Sequence, residues 1–410
     1  MRKYYTHILL ILLGLFLYFM ANFQRVAVPG AIFDSLQSDL VISPDSVTAL
    51  GSIFMYSYAV SLLFCGILSD RYGAIKVIMV GACLFAIGSL IFPNTKNIYL
   101  LYFSRAILGI GAATFYLCLV QEAKKCFPDK YFGISVSLML IIGYIGGFCA
   151  NAPLIYMTNF YKWQSIFNFL AISTVILTLL FCLERIFLHH IPVNEHAKFS
   201  IQPFKEVLSN KFNRNLYVYA GLNYGLYYVL QTIIGGKFLK DYINLSTESS
   251  ALILSLMIIV TGISGFTMAT LNSITKNKQI FFMKTVCIMS TIIFAVIPTC
   301  IFFNIKGIFI AFLVLMIAIG GGMSPILVSI IHAKNKYEIR GTSLSIMNCF
   351  FFLSVGFMGT IAGFILKLYP PLKIVSGQYI YSDKSYFWVF LVFFIFALIE
   401  MYNVFKLKEN

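Results

Sequence analysis

The chain consists of apolar runs about 20 residues long, separated by polar segments. A run of that length crosses the hydrocarbon core of a bilayer as a helix, in which every backbone hydrogen bond is made internally. The runs are continuous rather than alternating, which favours helices over a β-barrel. Only 11% of the residues are charged, whereas soluble domains carry about 25%. These features predict an all-α, multi-pass integral membrane protein.

Twelve runs qualify as membrane spans. They lie at 5–30, 46–69, 74–93, 97–123, 131–158, 164–188, 214–240, 247–271, 279–303, 307–333, 340–368 and 386–406. The longest polar stretch, 189–213, follows the sixth span. We therefore predict an N-terminal six-helix half at 1–188, a cytoplasmic linker at 189–213 and a C-terminal six-helix half at 214–410.

The distribution of positive charge indicates the orientation of the spans. Of the 30 Lys and Arg residues, 20 fall in segments on one side of the membrane, eight on the other and two, Arg25 and Arg105, inside spans. Cytoplasmic loops carry the excess of positive charge, so both termini are predicted to face the cytoplasm. Because the basic residues gather in alternate loops, the net charge of +15 does not indicate a nucleic-acid partner.

The sequence contains no motif of a catalytic or metal-binding site. No two of the nine cysteines have C-x-x-C spacing, and the five histidines show no ligand spacing with them. The phosphate-binding GxxxxGK[ST], the GxSxG and HExxH motifs and paired carboxylates are also absent. We therefore expect no enzymatic activity, no cofactor and no metal.

A short polar joint connects the second and third spans. It reads Gly66-Ile67-Leu68-Ser69-Asp70-Arg71-Tyr72-Gly73-Ala74-Ile75-Lys76. So short a connection makes the two spans antiparallel neighbours. Gly66 would let another backbone approach closely, and Gly73 can take a positive φ where the chain reverses. Asp70 can accept hydrogen bonds from backbone N–H groups at a nearby helix start, and Arg71 suits the cytoplasmic interface.

This joint resembles the signature loop of the major facilitator superfamily, G-x-L-x-D-R-x-G, although Ala74 and Ile75 stand where members often carry a charge. Four further segments resemble patterns of the same superfamily. They are Arg105–Ala113 (R-x-x-x-G-x-G-A-A), the glycines and proline of Gly143–Pro153, Lys162-Trp163, and Glu338–Gly341.

The resemblance implies two six-helix halves with a substrate between them at mid-membrane, and secondary transport by alternating access. The resemblance also implies conformational or gating roles for Gly66, Asp70, Arg71, Gly73 and Arg105. The first half looks most like the branch that includes lysosomal dipeptide transporters and bacterial relatives associated with nutrient or siderophore traffic. We therefore expect location in a bacterial inner (plasma) membrane.

Arg25 lies well along the first span, where an Arg costs about 2.5–3.5 kcal/mol on insertion scales. None of the 15 acidic residues lies near the middle of a span; the closest are Asp34, Glu122, Glu184 and Glu400. We therefore hypothesise that the substrate supplies the negative charge, as a carboxylate or phosphate bound by two parallel hydrogen bonds. The alternative is that Arg25 extends to the outer interface or bonds carbonyl groups near Pro29.

Other polar residues in spans have two interpretations each. In the seventh span, Asn223, Tyr224, Tyr227 and Gln231 are predicted to bind substrate, and hydrogen-bonded helix packing is the alternative. Gly320–Pro325 would break or loosen the tenth span, either to line a cavity or to allow close packing. Arg105 either bonds neighbouring carbonyl groups or contacts substrate. Glu122 is expected to form a solvated ion pair with Lys125, three residues on, and the alternative is a protonatable group.

Together these patterns predict a secondary active transporter for a small, anionic or zwitterionic solute. The partners are that solute, the lipid bilayer and a proton or other coupling ion, as in symport. Two alternatives stay open at this stage. One is an exporter of a metabolite, siderophore or drug, and the other is a transporter-like receptor that binds its ligand without moving it.

Overall fold

The computed structural model describes residues 2–186, 201–275, 278–375 and 378–408. The helices in these ranges are α1 (Arg2–Val26), α2 (Phe33–Leu40), α3 (Pro44–Tyr72), α4 (Ala74–Ile91), α5 (Ile98–Cys126), α6 (Asp129–Cys149), α7 (Ala152–Thr158), α8 (Trp163–Ile186), α9 (Gln202–Ser209), α10 (Lys211–Val229), α11 (Gly235–Asp241), α12 (Thr247–Ile274), α13 (Gln279–Phe302), α14 (Ile308–Gly321), α15 (Ser324–Lys334), α16 (Arg340–Leu368) and α17 (Asp383–Phe405). Strand β1 (Lys373–Val375) pairs antiparallel with β2 (Gln378–Ile380).

Eleven helical segments of the described ranges are long and apolar enough to cross a membrane. They correspond to all the predicted spans except the seventh. That segment is helical from Lys211 to Asp241, through a π-helical turn at Leu230–Ile234. It is less apolar than the others because Asn and Tyr side chains take the place of aliphatic ones along it. The all-α membrane class is confirmed, and the count differs by this one segment.

Polar side chains cap the N-termini of several helices. Asn97 accepts hydrogen bonds from the backbone N–H groups of Tyr99 (2.9 Å) and Leu100 (3.3 Å) at the start of α5. Ser246 accepts one from the N–H of Ser249 (3.1 Å) at the start of α12. The first turn of a helix leaves these N–H groups without backbone partners, so such caps fix where an apolar run becomes helical.

The chain forms two compact units. The first contains Met1–Arg25 and Ile53–Ser200, and the second contains Val26–Ser52 and Ile201–Asn410. Residues 26–52 thus pack with the second unit although they precede most of the first in sequence. The division into halves at 1–188 and 214–410 stays a prediction. The predicted linker 189–213 lies outside the described residues as far as position 200, and beyond it contains α9.

In the first unit, α4 packs against α5 and α8. Two glycines of the Arg105–Ala113 segment permit close helix contacts. A Cβ atom on Gly111 would lie 2.4 Å from the carbonyl oxygen of Gly81 in α4, and one on Gly109 would lie 2.5 Å from that of Phe54 in α3. Small residues let membrane helices approach to this distance, so this part of the pattern has a packing role.

In the second unit, α10 packs against α16 and α17, and α12 against α14. The predicted break in the tenth span is confirmed, because α14 ends at Gly321 and α15 begins at Ser324. The glycines there also allow close packing. A Cβ atom on Gly321 would lie 2.6 Å from the ring of Tyr227, and one on Gly322 would lie 2.6 Å from the backbone nitrogen of Gly265.

Candidate functional site

Arg25 lies one residue before the end of α1 and is half-buried. Its guanidinium donates a hydrogen bond to Oδ1 of Asn22 and lies 5.4 Å from the ring centroid of Tyr58. Asn22 is held in place by donating to the carbonyl oxygen of Tyr18 at 2.8 Å. The amide and the ring orient the guanidinium, and part of it stays exposed. A partly exposed cation of this kind can bind an anion.

Arg105 has a different environment in the same unit. It is completely buried, and its Nη1 donates to the carbonyl oxygen of Gln24 at 3.3 Å. The ring centroids of Phe54 and Phe92 lie 4.6 and 5.7 Å from its guanidinium carbon. The interpretation that Arg105 bonds a neighbouring carbonyl group is confirmed. Because rings and backbone enclose it, this cation holds α1 and α5 together.

The joint between α3 and α4 turns at Gly73, whose φ of +88° confirms the expected positive value. The expectation for Gly66 was wrong. The nearest described atom to a Cβ placed there would be a side-chain carbon of Leu117 at 3.9 Å, so no backbone approaches it closely. A glycine at this position is therefore not required by the packing of the described residues.

The charged residues of this joint are exposed. Asp70 accepts a hydrogen bond from the side-chain amide of Gln121 at 3.4 Å, rather than from the backbone N–H groups that we expected. Arg71 lies over the ring of Tyr72, with 5.3 Å between the guanidinium carbon and the ring centroid. Asp70 thus links the end of α3 to α5, which is compatible with the conformational role predicted for the joint.

Three of the four polar residues predicted on the seventh span make packing contacts. Asn223 donates to Oε1 of Glu400 at 3.0 Å, and both side chains are buried. Tyr224 stacks on Phe351, with ring centroids 4.8 Å apart, and Tyr227 packs on Gly321. Glu400, which the sequence placed near the inner end of the last span, is thus completely enclosed. These contacts agree with the packing alternative.

Gln231 differs from the other three. It is completely buried, and neither atom of its side-chain amide has a hydrogen-bond partner among the described residues. Buried amides are almost always hydrogen-bonded, because an unsatisfied one loses its contacts with water without replacement. Its donor and its acceptor are therefore available to a ligand.

Gln231 belongs to a region where two helices are interrupted. It lies in the π-helical turn Leu230–Ile234, which packs against a second irregular turn at Ala27–Ala31. The two backbones approach so closely that a Cβ atom on Gly30 would lie 2.6 Å from the carbonyl oxygen of Thr232. Interrupted helices form the binding sites of many transporters, and π-turns often occur at functional sites.

A cluster of four charged residues lies beyond these turns in the second unit. Lys237 Nζ is 2.9 Å from Oδ1 of Asp34 and 2.8 Å from Oδ1 of Asp241. Lys240 bonds the other oxygen of Asp34. The hydroxyl of Tyr386 donates to Oδ2 of Asp241 at 2.8 Å. We call Asp34, Lys237, Lys240 and Asp241 the ionic cluster.

The ionic cluster is not evident from the sequence, in which Lys237 and Lys240 stand out only as charges on the outer side. The one signal available was the four-residue spacing of Lys237 and Asp241, which places them on one helix face. Burial raises the pKa of Asp34, but the ammonium groups of Lys237 and Lys240 outweigh burial and hold it below the ordinary aspartate value. Burial raises the pKa of Asp241 above that value, because it outweighs the ammonium group of Lys237 and the hydrogen bonds from Tyr381 and Tyr386.

Glu122 forms the predicted ion pair with Lys125, at 3.1 Å. The expectation that this pair is solvated was wrong, because the Glu122 side chain is only 2% exposed. Helix α1 covers it and places Nδ1 of His7 3.2 Å from the other carboxylate oxygen. No sequence pattern indicates this contact, since His7 and Glu122 are far apart along the chain.

A family model described as the Major Facilitator Superfamily matches residues 11–360. The galactose-proton symporter of Escherichia coli (strain K12) is 30% identical over 116 residues, which are 28% of this chain and 25% of that protein. The sialic acid transporter NanX of the same strain is 25% identical over 149 residues, 36% of each chain. The chain thus spans between 25% and 36% of the length of these two relatives.

The fold is also that of a solved transporter structure. A bacterial homologue of the human lysosomal transporter Spinster, in an inward-facing and unoccupied conformation, matches with a TM-score of 0.74. The match covers 98% of this chain and 96% of that one at 13% sequence identity. At this identity the likeness shows the fold alone.

Proposed function

The chain belongs to the Major Facilitator Superfamily, and on that premise we propose that it is a secondary active transporter, not an enzyme. It moves a small anionic or zwitterionic solute across the membrane by alternating access. The observation that carries the proposal is the half-buried guanidinium of Arg25, which Asn22 and Tyr58 orient. Hydrogen bonds to a charged group contribute about 1.5–3 kcal/mol, enough to select a carboxylate or phosphate over a neutral solute.

The contrast between the two intramembrane arginines supports this assignment. Arg105 is enclosed by the Phe54 and Phe92 rings and a backbone carbonyl group, so its charge has a structural role. Arg25 keeps exposed surface and contacts Asn22 and Tyr58. An anion can therefore reach Arg25, whereas the buried guanidinium of Arg105 is enclosed.

Gln231 is the strongest of the four proposed contacts on the seventh span. Its amide donor and acceptor, both unpartnered among the residues the structure covers, suit a polar group of the solute. We propose a supporting role, in which side chains fix the position of this helix face by packing, for Asn223, Tyr224 and Tyr227. Gly66, Asp70, Arg71, Gly73 and Arg105 are proposed to act in the conformational change, with the joint stabilising one state.

The remaining parts of the proposal concern location and coupling. We place the protein in a bacterial inner membrane with both termini cytoplasmic, as the 20-to-8 distribution of Lys and Arg suggests. The named relatives include a galactose-proton symporter and a sialic acid transporter. Symport of an acidic solute with a proton is therefore the mode we propose.

A ligand screen followed by a flux assay tests the proposal. Amino acids, dipeptides, organic acids and sugar phosphates are first screened for a rise in melting temperature of the purified protein, since a ligand that binds only the folded state stabilises it. The best ligand is then used in counterflow with reconstituted proteoliposomes. We expect flux in the wild type, strong loss in Arg25→Ala and partial loss in Arg25→Lys, because an ammonium cannot bind two oxygens in parallel.

Arg214→Ala is the matched control, because Arg214 is exposed and bonds the carbonyl groups of Leu208 and Ser209. Its flux should equal that of the wild type. Normal flux in both Arg25 variants would remove the anion-binding role and leave the transporter assignment intact. Ligand binding without counterflow would instead identify a receptor, and flux of neutral drugs alone would favour the exporter.

A further inference from the structure

Three metal-ligating side chains meet at one end of the first unit, away from Arg25 and Gln231 in sequence. They are His7 from α1 and Glu122 and Cys126 from α5, and we call them the His7 cluster. One ligand atom from each lies within 4.8 Å of the other two. Glu122 and Cys126 are four residues apart, so one helix face presents both, one turn from each other. The facing helix supplies the third ligand.

The pairing of His7 with Glu122 is unusual for an ion pair. Nδ1 of His7 and Oε1 of Glu122 lie 3.2 Å apart. Both atoms are buried, yet neither has a hydrogen bond in the part of the chain that the structure covers. The two atoms are thus close together but are not in hydrogen-bond geometry. A ring nitrogen and a carboxylate oxygen buried side by side without hydrogen bonds are costly, and a cation shared by both lone pairs would remove that cost.

The second carboxylate oxygen is already occupied. Oε2 of Glu122 accepts from the ammonium of Lys125 at 3.1 Å. Oε1 is thus the oxygen left for a cation, and Glu122 would bind through one oxygen only. A carboxylate that ligates a metal is commonly held by an outer partner of this kind.

We propose that His7, Glu122 and Cys126 form a binding site for a divalent transition-metal ion, for which zinc is the best chemical match. Imidazole, thiolate and carboxylate together are ligands of zinc, whereas magnesium and calcium prefer oxygen alone. Zinc bonds of about 2.0–2.3 Å in tetrahedral geometry place neighbouring ligand atoms about 3–4 Å apart. The His7–Glu122 separation already fits, and a small movement of the Cys126 thiol completes the set.

The site has a structural consequence. A bound ion joins the start of α1 to the end of α5 and stabilises this end of the first unit. The charges of a carboxylate and a thiolate balance a divalent ion, while Lys125 remains on the outer oxygen. Because the thiol and the imidazole must be deprotonated to bind the metal, binding weakens as the pH falls.

The test uses the full-length protein in detergent with any affinity tag removed. The protein is treated with a chelator, and zinc is titrated while bound metal and melting temperature are recorded. We expect about one zinc ion per chain, a rise in melting temperature on binding, and a cobalt-substituted form with a thiolate-to-metal absorption band. Outer-shell partners contribute roughly 10- to 100-fold in metal affinity, so His7→Ala and Cys126→Ser should lose more than that.

Two matched variants control for other cysteines and histidines. Cys149→Ser and His332→Ala change residues of the same types elsewhere and should bind zinc like the wild type. Folding of each variant is verified by its melting temperature in chelator and by a single size-exclusion peak, and Glu122→Gln provides a third variant of the site. The proposal is overturned if well-folded wild type binds no zinc, or if His7→Ala and Cys126→Ser bind it unchanged.

Discussion

The ammonium group of Lys237 lies 2.9 Å from the carboxylate of Asp34, and this contact fastens the segment after α1 to α11. The Lys237 side chain is only 1% exposed, so the pair is almost completely shielded from solvent. Its second partner, Asp241, lies one turn further along the same helix at 2.8 Å. The ionic cluster therefore explains part of why residues 26–52 pack with the second unit.

Replacing Asp34 should strongly destabilise the second unit. Asp34→Asn removes the carboxylate that Lys237 and Lys240 share. Breaking a buried ion pair costs up to about 3–5 kcal/mol, and Asp241 is then the remaining carboxylate beside Lys237. We expect a clear fall in melting temperature in detergent. Asp39→Asn is the matched control, because Asp39 is an exposed residue of the same helix and the contacts of an exposed carboxylate contribute at most about 1 kcal/mol. Equal melting temperatures for the two variants would contradict the role of Asp34.

The contribution of Asp34 should not depend on pH between about 5 and 8. Its folded pKa is below the ordinary value, so its stabilisation is complete above the unfolded pKa of about 3.9. That stabilisation is lost only as the pH falls through the folded pKa. The difference in melting temperature between wild type and Asp34→Asn, measured across this range, should therefore be constant. A difference that shrinks steadily from pH 8 to 5 would refute the assignment.

Gln231→Leu should weaken substrate binding without lowering the stability of the protein. A buried amide without partners costs free energy, and an apolar side chain of similar size removes that cost. We expect an unchanged or higher melting temperature together with weaker substrate binding, measured by the ligand-induced rise in melting temperature. Asn223→Leu serves as the contrast, because it removes the amide that donates to the buried Glu400 and should lower stability. Unaltered substrate binding in Gln231→Leu would exclude a substrate contact.

Gly111→Ala should disrupt the contact between α4 and α5. The added methyl group would lie 2.4 Å from the carbonyl oxygen of Gly81, a backbone atom that cannot turn away. Overpacking of this kind costs about 1–3 kcal/mol. Gly133→Ala is the control, because nothing described lies within 4 Å of its added methyl group. Alanine at that helical site should instead stabilise by up to about 1 kcal/mol, and melting temperatures in the reverse order would count against the packing role.

Several site residues were within reach of sequence analysis, and others were not. The charge of Arg25, the positive φ of Gly73 and the break at Gly321 follow from residue type and local position, because each depends on a few neighbours in the chain. The partners of Asp34 and the contact of Glu122 with His7 were beyond reach. In both cases the residues belong to helices remote in sequence, and hydropathy and spacing contain no information about which helices become neighbours.

The repeated crossing of a membrane by helices, and the resemblance to a known transporter superfamily, follow from the amino-acid sequence alone. They do so because the length and polarity of each run depend only on the bilayer and on local composition. Three-dimensional contacts were needed to show which polar groups inside those helices are already satisfied, as in Arg105 and Asn223, and which remain available, as in Gln231. That distinction depends on contacts between helices, which form when close packing at glycines brings distant side chains within hydrogen-bonding distance.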